Sequence, residues 1–133
     1  MNTIKGENEW VKMEIHEYYF FIEYKTGTKL DLIAAKKIIE DAVKLADGKV
    51  YPAMTDIKNM PSHSKDVRDY FANEGSKNAI ANAIIISSSL SSILANIFLT
   101  LNKPVIPTRI FTDSKKAAKW LEMFPVTSRK VLI

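Results

Sequence analysis

Ala79-Ile80-Ala81-Asn82-Ala83-Ile84-Ile85-Ile86, then Ser87-Ser88-Ser89, then Leu90 to Leu101, Asn102-Lys103-Pro104, Ile106 to Phe111 and Asp113 to Trp120 form the stretch whose reading decides the fold. Ala79 to Ile86 is a nearly continuous apolar run, the pattern of a central strand covered on both faces. Leu90, Ile93, Leu94, Ile97, Phe98 and Leu101 recur at helical spacing. Pro104 follows the helix end, and Pro107 precedes a strand over Thr108 to Phe111. Asp113 is placed to cap a last helix whose Ala117, Trp120, Leu121 and Phe124 face inward, and Pro125 ends it. The order strand, loop, helix, loop, strand, helix belongs to a parallel α/β sheet.

The rest of the chain extends that pattern outward. Val11, Met13 and Ile15 alternate with Lys12 and Glu14, which predicts a half-buried strand. His16-Glu17 turns into an aromatic strand over Tyr18 to Tyr24, and the two form a hairpin. Asp31 caps a helix with Ala35, Ile38, Ile39, Ala42, Val43 and Ala46 on one face and Lys36, Lys37, Glu40, Asp41 and Lys44 on the other. Asp47-Gly48 stops it, Gly48 suiting the left-handed cap. Val50 to Ile57 reads as a strand and Lys58 to Ser64 as a loop. A short helix runs from Lys65 to about Glu74, with Val67, Tyr70 and Phe71 inward and Gly75 closing it. The sequence therefore predicts one domain over residues 1–133, with its core at about 11–124 and peripheral segments at 1–9 and 126–133. The expected order is ββαβαβαβα, a mixed, mostly parallel five-stranded sheet with four helices and right-handed crossovers. The tail from Val126 is expected to add an edge strand or to be mobile.

Composition excludes several chemistries. Cysteine is absent, which removes disulfides, thiolate metal sites and cysteine nucleophiles. The two histidines, His16 and His63, are far apart, with no ligand-spaced cluster around them. Net charge is +4, with lysines spread over polar helix faces rather than gathered in a basic stripe with interleaved aromatics, so no nucleic-acid partner is expected. Met1 to Glu9 has no apolar signal core. The uncharged run from Asn78 to Asn102 is long enough to span a bilayer, yet Ser87, Ser88, Ser89, Ser91 and Ser92 lie in its middle. A strand, a serine loop and a helix explain it better, so the expectation is a cytoplasmic protein with no transmembrane segment.

Three sets of residues are candidates for function. Ser87, Ser88 and Ser89 lie where a parallel strand gives way to a helix, a place where amide groups and the helix dipole favour an anion; plain capping is the competing explanation. Asp56 ends its strand and is followed by Ser62, His63, Ser64 and Arg68, which one crevice could gather; an acid–base pair would need Asp56 and His63 within hydrogen-bond reach. The competing explanation is structural: Asp56 caps the loop and pairs with Arg68. No nucleophile elbow accompanies them, and no Gly-rich phosphate loop specifies a nucleotide. Lastly, Leu90 to Leu101 carries no charge on its outer line, so Ser92, Ala95, Asn96, Leu99 and Thr100 are candidates for an interface with a partner or a second copy; burial within the monomer explains them equally.

The chain resembles the SpoIIAA-like fold of STAS domains and anti-sigma-factor antagonists from about Val11 to Phe124. It is similar in particular to a group of uncharacterised bacterial STAS-like proteins. The marks are Tyr51-Pro52-Ala53-Met54-Thr55-Asp56, Arg68-Asp69-Tyr70-Phe71, Ser89 to Leu99, Asn102-Lys103-Pro104, Ile106 to Thr112 and Ala117-Ala118-Lys119-Trp120-Leu121. The antagonists carry Asp-Ser-Ser-Gly at the start of the second helix, where a serine is phosphorylated. Here the region reads Ser62-His63-Ser64-Lys65-Asp66, without Ser-Ser-Gly, and Ser62 and Ser64 occupy the loop. The resemblance implies a regulatory protein-interaction module, without a cofactor, that binds rather than catalyses, and the uncharged line on the helix Leu90 to Leu101 adds a homodimer as one form of that interaction. The fold also includes a relative of the CRAL-TRIO lipid-exchange domain, which implies the alternative: a small-molecule or lipid site at the carboxyl ends of the strands.

Overall fold

The computed structural model describes residues 3–27, 29–87 and 105–129. A six-stranded sheet organises them, in the order β1-β2-β3-β5-β6-β7. The strands are β1 (Ile4–Glu7), β2 (Val11–Ile15), β3 (Phe20–Tyr24), β5 (Ala53–Asp56), β6 (Asn82–Ile85) and β7 (Thr108–Phe111). β1 to β3 are antiparallel, and β3, β5, β6 and β7 are parallel. A second sheet pairs β4 (Lys49–Val50) with β8 (Thr127–Ser128). The α-helices among the described residues are α1 (Leu32–Ala46), α2 (Lys65–Tyr70) and α3 (Ser114–Leu121).

The mostly parallel α/β architecture is the expected one, but the main sheet has six strands rather than five. Ile4–Glu7, expected as a loose lead-in, is a strand whose Ile4 opposes Ile15 and whose Glu7 opposes Lys12. It is mostly exposed, so it lacks the alternation that marks a half-buried strand. Main-chain pairing carries it, aided by the Lys25–Glu7 ion pair. Gly6 contributes too, because a Cβ there would meet Leu45 of α1 at 3.2 Å. The strand expected over Val50 to Ile57 is cut at Tyr51-Pro52. Proline has no N–H to continue a ladder, so Lys49–Val50 turns away to pair with the tail while Pro52 spends its carbonyl on Phe20 N at 2.9 Å. The tail thus supplies a strand, though to the small sheet. The Leu90–Leu101 helix, Ser88 and Ser89, and the interface candidates Ser92, Ala95, Asn96, Leu99 and Thr100 lie outside the described residues.

Period-2 alternation assigns the two sheet faces. Phe20, Ile22 and Tyr24 face α1 and α2, forming a core with Val11, Met13 and Ile38. Met54, Ala81, Ala83 and Ile85 face the other way, against Ala117 and Leu121 of α3. Each fully buried aliphatic side chain of this kind contributes about 1.5–3 kcal/mol. Asp31 caps α1 by accepting from Ala34 N at 2.9 Å, and the chain leaves the helix through left-handed Asp47 (φ 49°) and Gly48 (φ 84°). Asp113 caps α3 by accepting from Lys115 N at 2.8 Å.

Two expectations about side chains change. Gly75, expected to close its helix, lies at the end of a π-helical turn, Phe71–Gly75, that continues α2 and runs on into a turn over Ser76–Asn78. A Cβ there would meet Ile39 at 3.3 Å, so the glycine allows α1 to approach closely. Trp120, expected in the core, is half-buried. The inward line of the short α3 is Ala117 and Leu121, and Trp120 sits on its flank, 4.9 Å from the Phe124 ring and 5.8 Å from that of Phe111.

Candidate functional site

The inward face of α1 is only partly packed. Ala34, Ala35, Ile38 and Ala46 are buried, whereas Ile39, Ala42 and Val43 are half-buried. These three line a cavity of about 660 Å³ between α1, the α2–π segment and the sheet. The sheet contributes Phe20, Ile22, Ala53, Thr55 and Ile84, all on the α1 face; Phe71, Ala72 and Gly75 supply another wall. The volume falls within the range of about 300–1,000 Å³ typical of small-molecule sites.

Its polar groups lie toward both ends of the strands. At the carboxyl ends are Tyr24, Lys58, Ser62, His63 and Arg68; at the amino ends are Lys49, Asn78, Asn82, Thr108 and Arg129. Among the described residues of the lining, every ionisable side chain other than the tyrosines is a base, and no carboxylate contributes. Tyr24 is buried, and its hydroxyl has no partner among the described residues. Burial pushes its pKa up from the ordinary value of 10.0, so the phenol remains a neutral donor. Thr55 Oγ1 donates to Asn82 Oδ1 at 2.9 Å, which leaves the Asn82 amide NH₂ without a partner among the described residues.

The residues singled out from sequence are distributed unevenly around this space. Ser62, His63 and Arg68 line it; Asp56, Ser64 and Ser87 are absent from the described lining. Arg68 and His63 meet through the backbone, Arg68 Nη1 donating to the His63 carbonyl at 3.1 Å. His63 Nδ1 lies 2.8 Å from the Pro61 carbonyl, so that nitrogen carries the proton and Nε2 is left over. Asp56 is buried at 7% exposure and shares the register of Met54, on the face opposite the cavity. Its Oδ1 accepts from Lys58 N at 3.0 Å and its Oδ2 pairs with Lys58 Nζ at 3.2 Å. Asp56 does cap the loop, but its ion-pair partner is Lys58 rather than Arg68. Ser64 donates its hydroxyl to Asp66, which holds that carboxyl below the usual carboxylate range. Ser87 is exposed just beyond β6 and takes part in an interaction of its own.

Sequence reasoning missed the amino-end group. Asn82 did leave a signal: it is the one polar residue within the run Ala79 to Ile86. Arg129 left none, because it reaches Asn78 across 51 residues. Among the described residues no cluster of His, Cys, Asp or Glu could hold a metal ion, and no described helix is long and apolar enough to cross a membrane.

No curated protein matches the chain in sequence. Among solved structures it is similar to an uncharacterised DUF3478-family protein with a SpoIIAA-like fold from Shewanella loihica PV-4. Identity is 18%, the TM-score is 0.57, and the match covers 87% of this chain and 98% of that one. The likeness shows a SpoIIAA-like fold. A family described as "Domain of unknown function (DUF7793)" matches residues 13–125, from the second strand to the proline after the last helix, and the chain belongs to that family.

Proposed function

We propose that this SpoIIAA-like domain works by binding a small, largely apolar molecule in the cavity between α1, the α2–π segment and the sheet. The observation that carries the reading is the cavity itself: about 660 Å³, walled mainly by aliphatic and aromatic side chains, with a few polar groups at its two ends. Sites of this kind bind through apolar contact and orient their ligand through sparse hydrogen bonds. The hydroxyl of Tyr24, without a partner among the described residues, is such an orienting group.

Native mass spectrometry of protein from its own cells, with organic extraction, would detect a co-purified ligand. In vitro, an apolar fluorescent probe should bind the wild type in a saturable way. Ala42→Phe, which places a ring in the cavity from the middle of α1, should abolish that binding while leaving the circular dichroism spectrum intact. A cavity filled by the chain itself would bind no probe, and that result would end the proposal.

The second reading is a regulatory protein-interaction module of the antagonist type, supported by the fold and by the exposure of Ser62 and Ser64 ahead of α2. Phosphopeptide mapping tests it. Repeated absence of phosphate on both serines, with full coverage of that peptide, would retire the switch.

A further inference from the structure

We infer that the amino-end group, with Arg129 at its centre, selects a ligand bearing a single carboxylate on an apolar body. The inference rests on the cavity reading above and assigns the chemistry of its occupant. Arg129 is not a loose surface side chain. Its backbone N–H donates to the Gly48 carbonyl at 2.8 Å, beside the small sheet formed by β4 and β8. Its Nη1 donates to Asn78 Oδ1 at 3.2 Å. Asn78 is itself fixed, its amide donating to the carbonyls of Glu74 and Gly75 at 3.2 Å each. The orientation of the Asn78 amide is therefore set, and with it the side of the guanidinium that remains free.

Arg129 is half-buried, lines the cavity and has no carboxylate partner among the described residues. A guanidinium has five donors, and its fork matches the two oxygens of a carboxylate. The Asn82 NH₂ lines the same space without a partner among the described residues, and Lys49 adds a second cation at the same end. At the carboxyl end the charge is already balanced in part, since Lys58 is paired with Asp56. Charge complementarity thus places an anionic head at the amino end and its apolar body along Phe20, Ile22, Ile84 and α1.

Calorimetry with the full chain tests this, using dodecanoate, dodecanol, dodecylammonium and dodecyl phosphate as probes. The wild type should prefer dodecanoate to dodecanol by about tenfold or more, the scale of a hydrogen bond to a charged group, and should reject dodecylammonium. Arg129→Gln should erase that preference while still binding dodecanol, which also shows that the variant folds. Arg129→Lys should keep part of it. Arg109→Gln removes the same charge from the opposite face, where Arg109 lies over Phe111, and should change nothing. If dodecanol binds but dodecanoate gains no advantage, or if Arg68→Gln rather than Arg129→Gln removes it, the Arg129 assignment fails and the cavity reading stands. Tighter binding of dodecyl phosphate than of dodecanoate would overturn the carboxylate. If no probe binds, both readings fall together.

Discussion

Removing the hydroxyl of Tyr24 tests the cavity's chemistry without a ligand. Tyr24 is 4% exposed, ends β3 on the cavity face, and its phenol has no hydrogen-bond partner among the described residues. A buried polar group left unpaired costs about 1–3 kcal/mol, whereas a satisfied one contributes about 0.5–1.5 kcal/mol. Tyr24→Phe should therefore leave the stability of the ligand-free protein unchanged at neutral pH or raise it by up to about 1 kcal/mol. The alkaline limb gives an independent signature. Burial raises the folded-state pKa above the ordinary 10.0, so above that value the unfolded chain loses the Tyr24 proton first and is favoured. Stability then falls by about 1.4 kcal/mol per pH unit until the folded group also ionises. Urea denaturation from pH 7 to 11.5 should show the two proteins diverging, with the wild type falling more steeply above pH 10. A loss above about 1 kcal/mol in Tyr24→Phe at pH 7, or parallel alkaline limbs, would refute an unpartnered buried phenol.

Two further outcomes follow from the packing around the site. Trp120→Ala should cost about 2 kcal/mol in equilibrium denaturation, below the 3–5 kcal/mol typical of fully buried aromatics, because Trp120 is half-buried on the flank of α3; a loss above about 4 kcal/mol would put it back in the core. Ser64→Ala should raise the pKa of Asp66 toward 3.8, since the serine hydroxyl is the largest cause of its depression. The interaction favours the folded state above the ordinary carboxylate pKa and is lost as the pH falls through the lowered value; carboxyl NMR titration that shows no upward shift would remove Ser64 as the cause.

Much of the architecture was legible because it depends on periodicity. The 3.6-residue recurrence along α1, the nearly continuous apolar run that holds β6 and the aspartate caps at Asp31 and Asp113 each have a local cause, and each appears where expected. Elements supported by long-range pairing were not legible. Ile4–Glu7 has no apolar face to betray it, and the pairing of Lys49–Val50 with Thr127–Ser128 joins segments with no shared pattern. Pro52 is the instructive middle case, since its missing donor could have been read as a break in the strand from Val50 to Ile57.

The cavity exposes a different limit. Periodicity states which side chains point inward, and it placed Ile39, Ala42 and Val43 correctly on the inner face of α1. It does not state whether an inward side chain meets other atoms. That depends on the separation of the elements, which Gly75 sets at one point by admitting Ile39, while the small Ala42, Ala53 and Ala72 leave space elsewhere. The candidate site follows the same logic. Ser62, His63 and Arg68 were found because they follow a strand end, as the general rule for open α/β sheets requires. Arg129 was not, because no rule links residue 129 to residue 78 until the tail is seen to pair with Lys49–Val50. Arg129 thus reaches the cavity through the chain's least predictable pairing, while the apolar wall beside it could be read almost residue by residue.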